Sequence, residues 1–104
     1  MSEKPLTSLV KDITYFYIKH FYEKELQLKQ LQRLDDNDLT QLIDKLYNEK
    51  ANDLKKYIRN TLKENLGDQY SAIATENILI EMFNDPDYSK KRVFLEIQDY
   101  QNTL

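Results

Sequence analysis

Tyr15-Phe16-Tyr17-Ile18-Lys19-His20-Phe21-Tyr22 is the stretch that every other part of this chain must accommodate. Five of its eight residues are aromatic, one is isoleucine, and one is the chain's single histidine. Read as helix, at about 100° per residue, its apolar side chains do not gather on one stripe. Tyr15, Ile18 and Tyr22 fall along one side, Tyr17 and Phe21 along another, and Phe16 is turned away. A helix that is apolar all round is either enclosed by its own chain or keeps one side for a partner.

Working outward, Leu6, Val10, Ile13, Tyr17, Phe21, Leu28 and Leu31 recur at mostly three- and four-residue steps. The spacing predicts a first helix over about 7–34, N-capped by Thr7 or Ser8. Residues 1–5 read as a flexible terminus. Asp35-Asp36-Asn37-Asp38 breaks the helix, because short polar side chains compete for backbone hydrogen bonds. The stripe Leu39, Leu42, Ile43, Leu46, Tyr47, Ala51, Leu54, Ile58, Leu62 and Leu66 predicts a second helix over 38–66. Gly67, the one glycine, stands where a left-handed residue ends a helix. Asp68 is then the expected cap of a third helix over 69–84. Asp85-Pro86 restarts the chain into a fourth over 86–101, with proline where its missing N–H costs nothing.

Composition supports an all-α chain. One glycine and two prolines in 104 residues leave few reversals, whereas sheets need turn residues at each one. The expected architecture is a single helical domain over 1–104: a long antiparallel hairpin of two helices with two shorter ones packed on it. The absence of cysteine excludes disulfides, thiolate metal sites and a cysteine nucleophile. A net charge of −3 with 32% charged residues of both signs is an ordinary solvated surface, not the basic excess of a polyanion binder. No apolar run reaches the roughly 20 residues of a membrane span. The first residues lack a secretory h-region, so cytoplasm or nucleus is the expected location.

The chain's constellations point away from catalysis. One glycine cannot build a phosphate-binding loop. His20 lies inside the aromatic block rather than at an elbow that would orient a nucleophile. The acidic run from Asp36 places Gln41 and Tyr47 where a calcium loop needs glycine and a bidentate acid, so no metal or other cofactor is expected. Lys55, Lys56, Arg59 and Lys63 form a basic ridge, and Lys90, Lys91 and Arg92 a second cluster. Together they are the alternative, nucleic-acid reading. Acids early and bases late in the second helix also suit its macrodipole, so that reading ranks below a solvated face.

The expectation is therefore a non-catalytic adaptor or subunit of a larger protein complex, with no small-molecule substrate, binding another protein or a second copy of itself. Val10, Ile13, Tyr17, Phe21 and Leu28 are the side of the first helix assigned to the core. Tyr15, Ile18, Tyr22 and Leu26 are the side assigned to a partner, since one long and two short helices cannot readily cover it on three sides. Tyrosine's apolar face and polar tip suit such a surface.

Overall fold

In a computed structural model, residues 5–103 are described. The expected terminus falls mostly outside them. Five α-helices follow one another: α1 (Leu6–Lys29), α2 (Asp36–Asn48), α3 (Ala51–Leu66), α4 (Ala72–Asn84) and α5 (Pro86–Asn102). A single 3-10 turn, Gly67–Gln69, precedes α4. The all-α class holds, but the expected four helices are five, because 38–66 is not continuous.

That break has a cause in the sequence. The buried residues of α2 (Leu39, Leu42, Ile43, Leu46, Tyr47) and those of α3 (Leu54, Ile58, Leu62) are each one stripe. On one straight helix at about 100° per residue, the two stripes would lie about 90° apart. The chain re-aims the second stripe through Glu49 and Lys50, with Lys50 at φ −113°, ψ 25°.

Breaking 38–66 in two gives α1 more neighbours than a hairpin would, and it packs against α2, α3, α4 and α5. α5 runs parallel to it: Lys11 lies over the Tyr88 ring, Lys19 over Tyr100, and the Tyr22 hydroxyl reaches Gln101. α2 runs antiparallel to α5, with Tyr47 bonded to Ser89, Asp44 paired with Lys90 and Asp36 accepting from Gln98. α4 lies antiparallel beside α3 and is reached by long side chains, Lys55 to Phe83 and Arg59 to Glu76, while Lys63 meets Tyr70 in the turn before α4.

The helix ends show what turn chemistry replaced the expected signals. α1 begins at Leu6 after Pro5, so Thr7 and Ser8 lie within its first turn rather than capping it. It stops at Lys29, not near 34. Gln30 takes a left-handed conformation (φ 55°), and the N–H groups of Gln30 and Leu31 return to the carbonyls of Gln27 and Leu26. This is a Schellman motif built without glycine. Asp35 caps α2, its carboxylate accepting from the Asp38 N–H at 2.8 Å, so the helix starts at Asp36 rather than at 38. Ser71, not Asp68, caps α4 by accepting from the Ala74 N–H. Pro86 opens α5 as expected, but the Asp85 side chain makes no capping hydrogen bond.

Gly67 adopts φ 54°, ψ −120°, and a Cβ there would meet nothing within 4 Å. Gly67 lies outside the left-handed helical well, so the cost of Gly67→Ala is backbone strain alone, about 1–3 kcal/mol. Gln30, in the left-handed well, carries a strain of about 1–2 kcal/mol that Gln30→Gly removes. The substitution should raise stability by up to about 1 kcal/mol, against glycine's greater freedom in the unfolded chain. Urea denaturation of the two variants reads opposite shifts in midpoint.

One buried polar cluster ties the end of α5 to α1 and to the segment that follows it. Gln101 is 6% exposed and its amide grips the backbone of Leu34. Its Oε1 accepts from the Leu34 N–H at 2.8 Å and its Nε2 donates to the Leu34 carbonyl at 3.3 Å. The Tyr22 hydroxyl donates to the same Oε1 at 2.8 Å. The segment between α1 and α2 is thus held inward, with the Leu34 side chain buried in the core. Among the described residues no buried side-chain polar atom lacks a partner.

Candidate interaction surface

The side of α1 assigned to a partner is largely interior. Ile18 and Tyr22 are fully buried, and Tyr15 and Leu26 pack in part against the core. The reason is α5, which runs along this side. Burial and the nearby Glu96 carboxylate push the Tyr15 phenol up, and the Tyr22 and Tyr100 rings meet edge to face at 6.2 Å. The side assigned to the core is mixed. Val10 and Ile13 are buried, and the Tyr17 ring meets both Phe21 and Tyr57 of α3. Leu28, on the last turn where no neighbour covers it, is 80% exposed. Phe16 and His20 face solvent, the imidazole edge-on to Phe21.

The basic ridge is engaged within the fold. Arg59 makes a forked contact to Glu76, with Nε 2.7 Å from Oε1 and Nη2 3.2 Å from Oε2. Lys55 sits over the Phe83 ring at 4.7 Å and Lys63 over Tyr70 at 5.7 Å. In the second cluster Lys90 pairs with Asp44 and lies over Tyr47, while Arg92 pairs with Glu96 one turn on. Lys56 and Lys91 are exposed. The Tyr47 and Phe83 rings meet at 5.5 Å, with Lys90 over the first and Lys55 over the second. Lys55, Arg59 and Lys90 thus bridge neighbouring helices, whereas Arg92 pairs within α5 and Lys56 and Lys91 face solvent.

The Tyr47 phenol is buried, which raises its pKa above the ordinary value near 10, while its bond to Ser89 works against the shift. The folded chain therefore holds this proton more tightly than the unfolded chain does. The stabilisation is fully present below about pH 10 and is lost as pH rises through the higher folded value. Denaturation midpoints should fall steeply above pH 10, and less steeply in Tyr47→Phe.

α4 is the expected third helix, to which the sequence assigns no partner face. Ala72, Ile73, Ala74, Ile78, Leu79, Ile80, Met82 and Phe83 make it apolar on most sides, yet only Thr75 and Leu79 are buried. Thr75 donates back to the Ser71 carbonyl, so its hydroxyl is satisfied within the helix. Ile73 is 79% and Ile80 57% exposed, with exposed Asn77 and Asn84 in register between and beyond them. The signal was present in the sequence: apolar residues too many and too evenly spread for one buried stripe.

On its other flank α4 borders a groove of about 310 Å³ shared with the start of α1 and of α5. Val10, Ile78 and Met82 line it, with Glu81, Asp85 and the 64% exposed Tyr88 at its rim. Among the described residues no helix is long and apolar enough to cross a membrane. No protein-family model, curated protein or solved structure matches this chain.

Proposed function

We propose that this chain is a non-catalytic helical interaction module, an adaptor or small subunit of a larger protein assembly, and that it docks through the outward face of α4. A cytosolic or nuclear setting goes with this reading, and the cysteine-free composition is compatible with it. The carrying observation is the exposure of Ile73 and Ile80, two turns apart on a helix fastened to its neighbour by Arg59–Glu76 and Lys55–Phe83. Large aliphatic side chains held in water gain free energy when a partner covers them, at about 25 cal/mol per Å² of apolar area.

The docking face thus moves from α1, where α5 covers it, to α4. The test is affinity capture with wild type and with Ile73→Gln/Ile80→Gln, which keeps good helix formers at both positions. The expected result is loss of the captured partner with circular dichroism unchanged. Equal capture by both proteins contradicts the reading.

A further inference from the structure

We infer that the outward face of α4 is a short heptad seam that pairs with the α4 of a second copy of this chain, the two helices parallel. The inference rests on the docking role proposed for this face and names its occupant.

Ile73, Asn77, Ile80 and Asn84 are separated by four, three and four residues, which is the spacing of d, a, d and a positions in a coiled coil. All four are exposed. Both a positions of this seam carry asparagine, a residue that at an a position sets register and orientation at a cost in stability, and only the two d positions are apolar. Asn77 stands at such a position between the two isoleucines.

The flanks of the seam decide the direction. On one side lies α3 with exposed Lys56; on the other, at the e position of the seam, lies exposed Glu81. Among the described residues neither has an ion-pair partner. The contacts Lys55–Phe83 and Arg59–Glu76 set the heights of the two helices, and between them Lys56 comes level with Glu81. A twofold axis running along α4 keeps heights and exchanges flanks. It sets Ile73 on Ile73, Asn77 on Asn77 and Ile80 on Ile80, and brings Lys56 of each copy to Glu81 of the other. A twofold axis across α4 would make the helices antiparallel and lay each lysine flank over the other copy's lysine flank. An isologous contact of this kind closes at two copies, and opposite charges outside an apolar seam set its register.

The test uses the full chain, alone and purified. Sedimentation velocity over a concentration series should show the mass rising from that of one 12.5 kDa chain toward twice that value. Ile80→Gln should weaken association at least tenfold. Lys56→Glu and Glu81→Lys should each weaken it severalfold, and the double exchange should restore it. Because the chain has no cysteine, Asn77→Cys introduces a lone thiol. Mild oxidation should link it into a covalent dimer far faster than Gln41→Cys on the exposed side of α2. A monomer at every concentration, or equal cross-linking at the two positions, overturns the pairing. The proposed docking role then still stands or falls by the capture experiment, because loss of capture in Ile73→Gln/Ile80→Gln would point to a different occupant.

Discussion

Replacing Gln101 with alanine should destabilise the fold by about 3–4 kcal/mol, because it strands three groups at once. The Leu34 N–H, the Leu34 carbonyl and the Tyr22 hydroxyl all use this one amide. Gln101 and the side chains of Tyr22 and Leu34 are buried, so water cannot readily stand in for the lost partner. A buried donor or acceptor left without a bond costs about 1–3 kcal/mol, and relaxation of the 30–35 segment recovers part of the total. Tyr22→Phe separates the contributions. It removes one donor but leaves Oε1 bonded to the Leu34 N–H, so its cost is about 1 kcal/mol. Urea denaturation of the two variants should give this order. Hydrogen exchange at the Leu34 amide should be protected in wild type and in Tyr22→Phe, and unprotected in Gln101→Ala.

Tyr22→Ala should cost about 3–5 kcal/mol, the range for removing a large buried aromatic side chain. The ring is fully buried among α1 and α5, meets Tyr100 edge to face and anchors the Gln101 cluster. Its loss leaves a cavity as well as an unmade hydrogen bond. Folded domains carry about 5–15 kcal/mol of stability, so this variant should lie near or below the threshold for remaining folded. Thermal denaturation followed by circular dichroism reads the effect. A surface role for Tyr22 would instead leave the melting transition in place and alter only association.

The elements legible in the sequence were those with a strong local determinant. Gly67 ends α3 because its positive φ strains any other residue, and Pro86 starts α5 because its fixed φ and missing N–H suit a first turn. The helical class followed from the scarcity of turn residues. The missed features lack such a mark. The α2–α3 break rests on a phase shift between two apolar stripes that each look regular. The end of α1 rests on a left-handed glutamine, for which composition gives no warning.

The error over α1 followed from those misses. With 38–66 read as one helix, too few elements remained to enclose Tyr15, Ile18, Tyr22 and Leu26. With α2 and α3 re-aimed and α5 laid parallel to α1, that side is covered and the apolar excess emerges on α4. Gln101 could not be chosen from sequence, since its role depends on bringing residues 22, 34 and 101 together. The basic ridge was legible as a pattern, but its partners Glu76, Phe83 and Tyr70 belong to the next helix and its turn, and only the placement of α4 beside α3 assigns them.

Ile18 and Tyr22 of the aromatic stretch are interior, whereas Ile73 and Ile80 of α4 are exposed. Urea denaturation of Ile73→Gln/Ile80→Gln beside Tyr22→Ala, at concentrations where wild type is monomeric, separates the two. The double α4 variant should stay within about 0.5 kcal/mol of wild type. Tyr22→Ala should lose about 3–5 kcal/mol. The reverse order, with the α4 variant collapsing and Tyr22→Ala folded, would contradict this assignment.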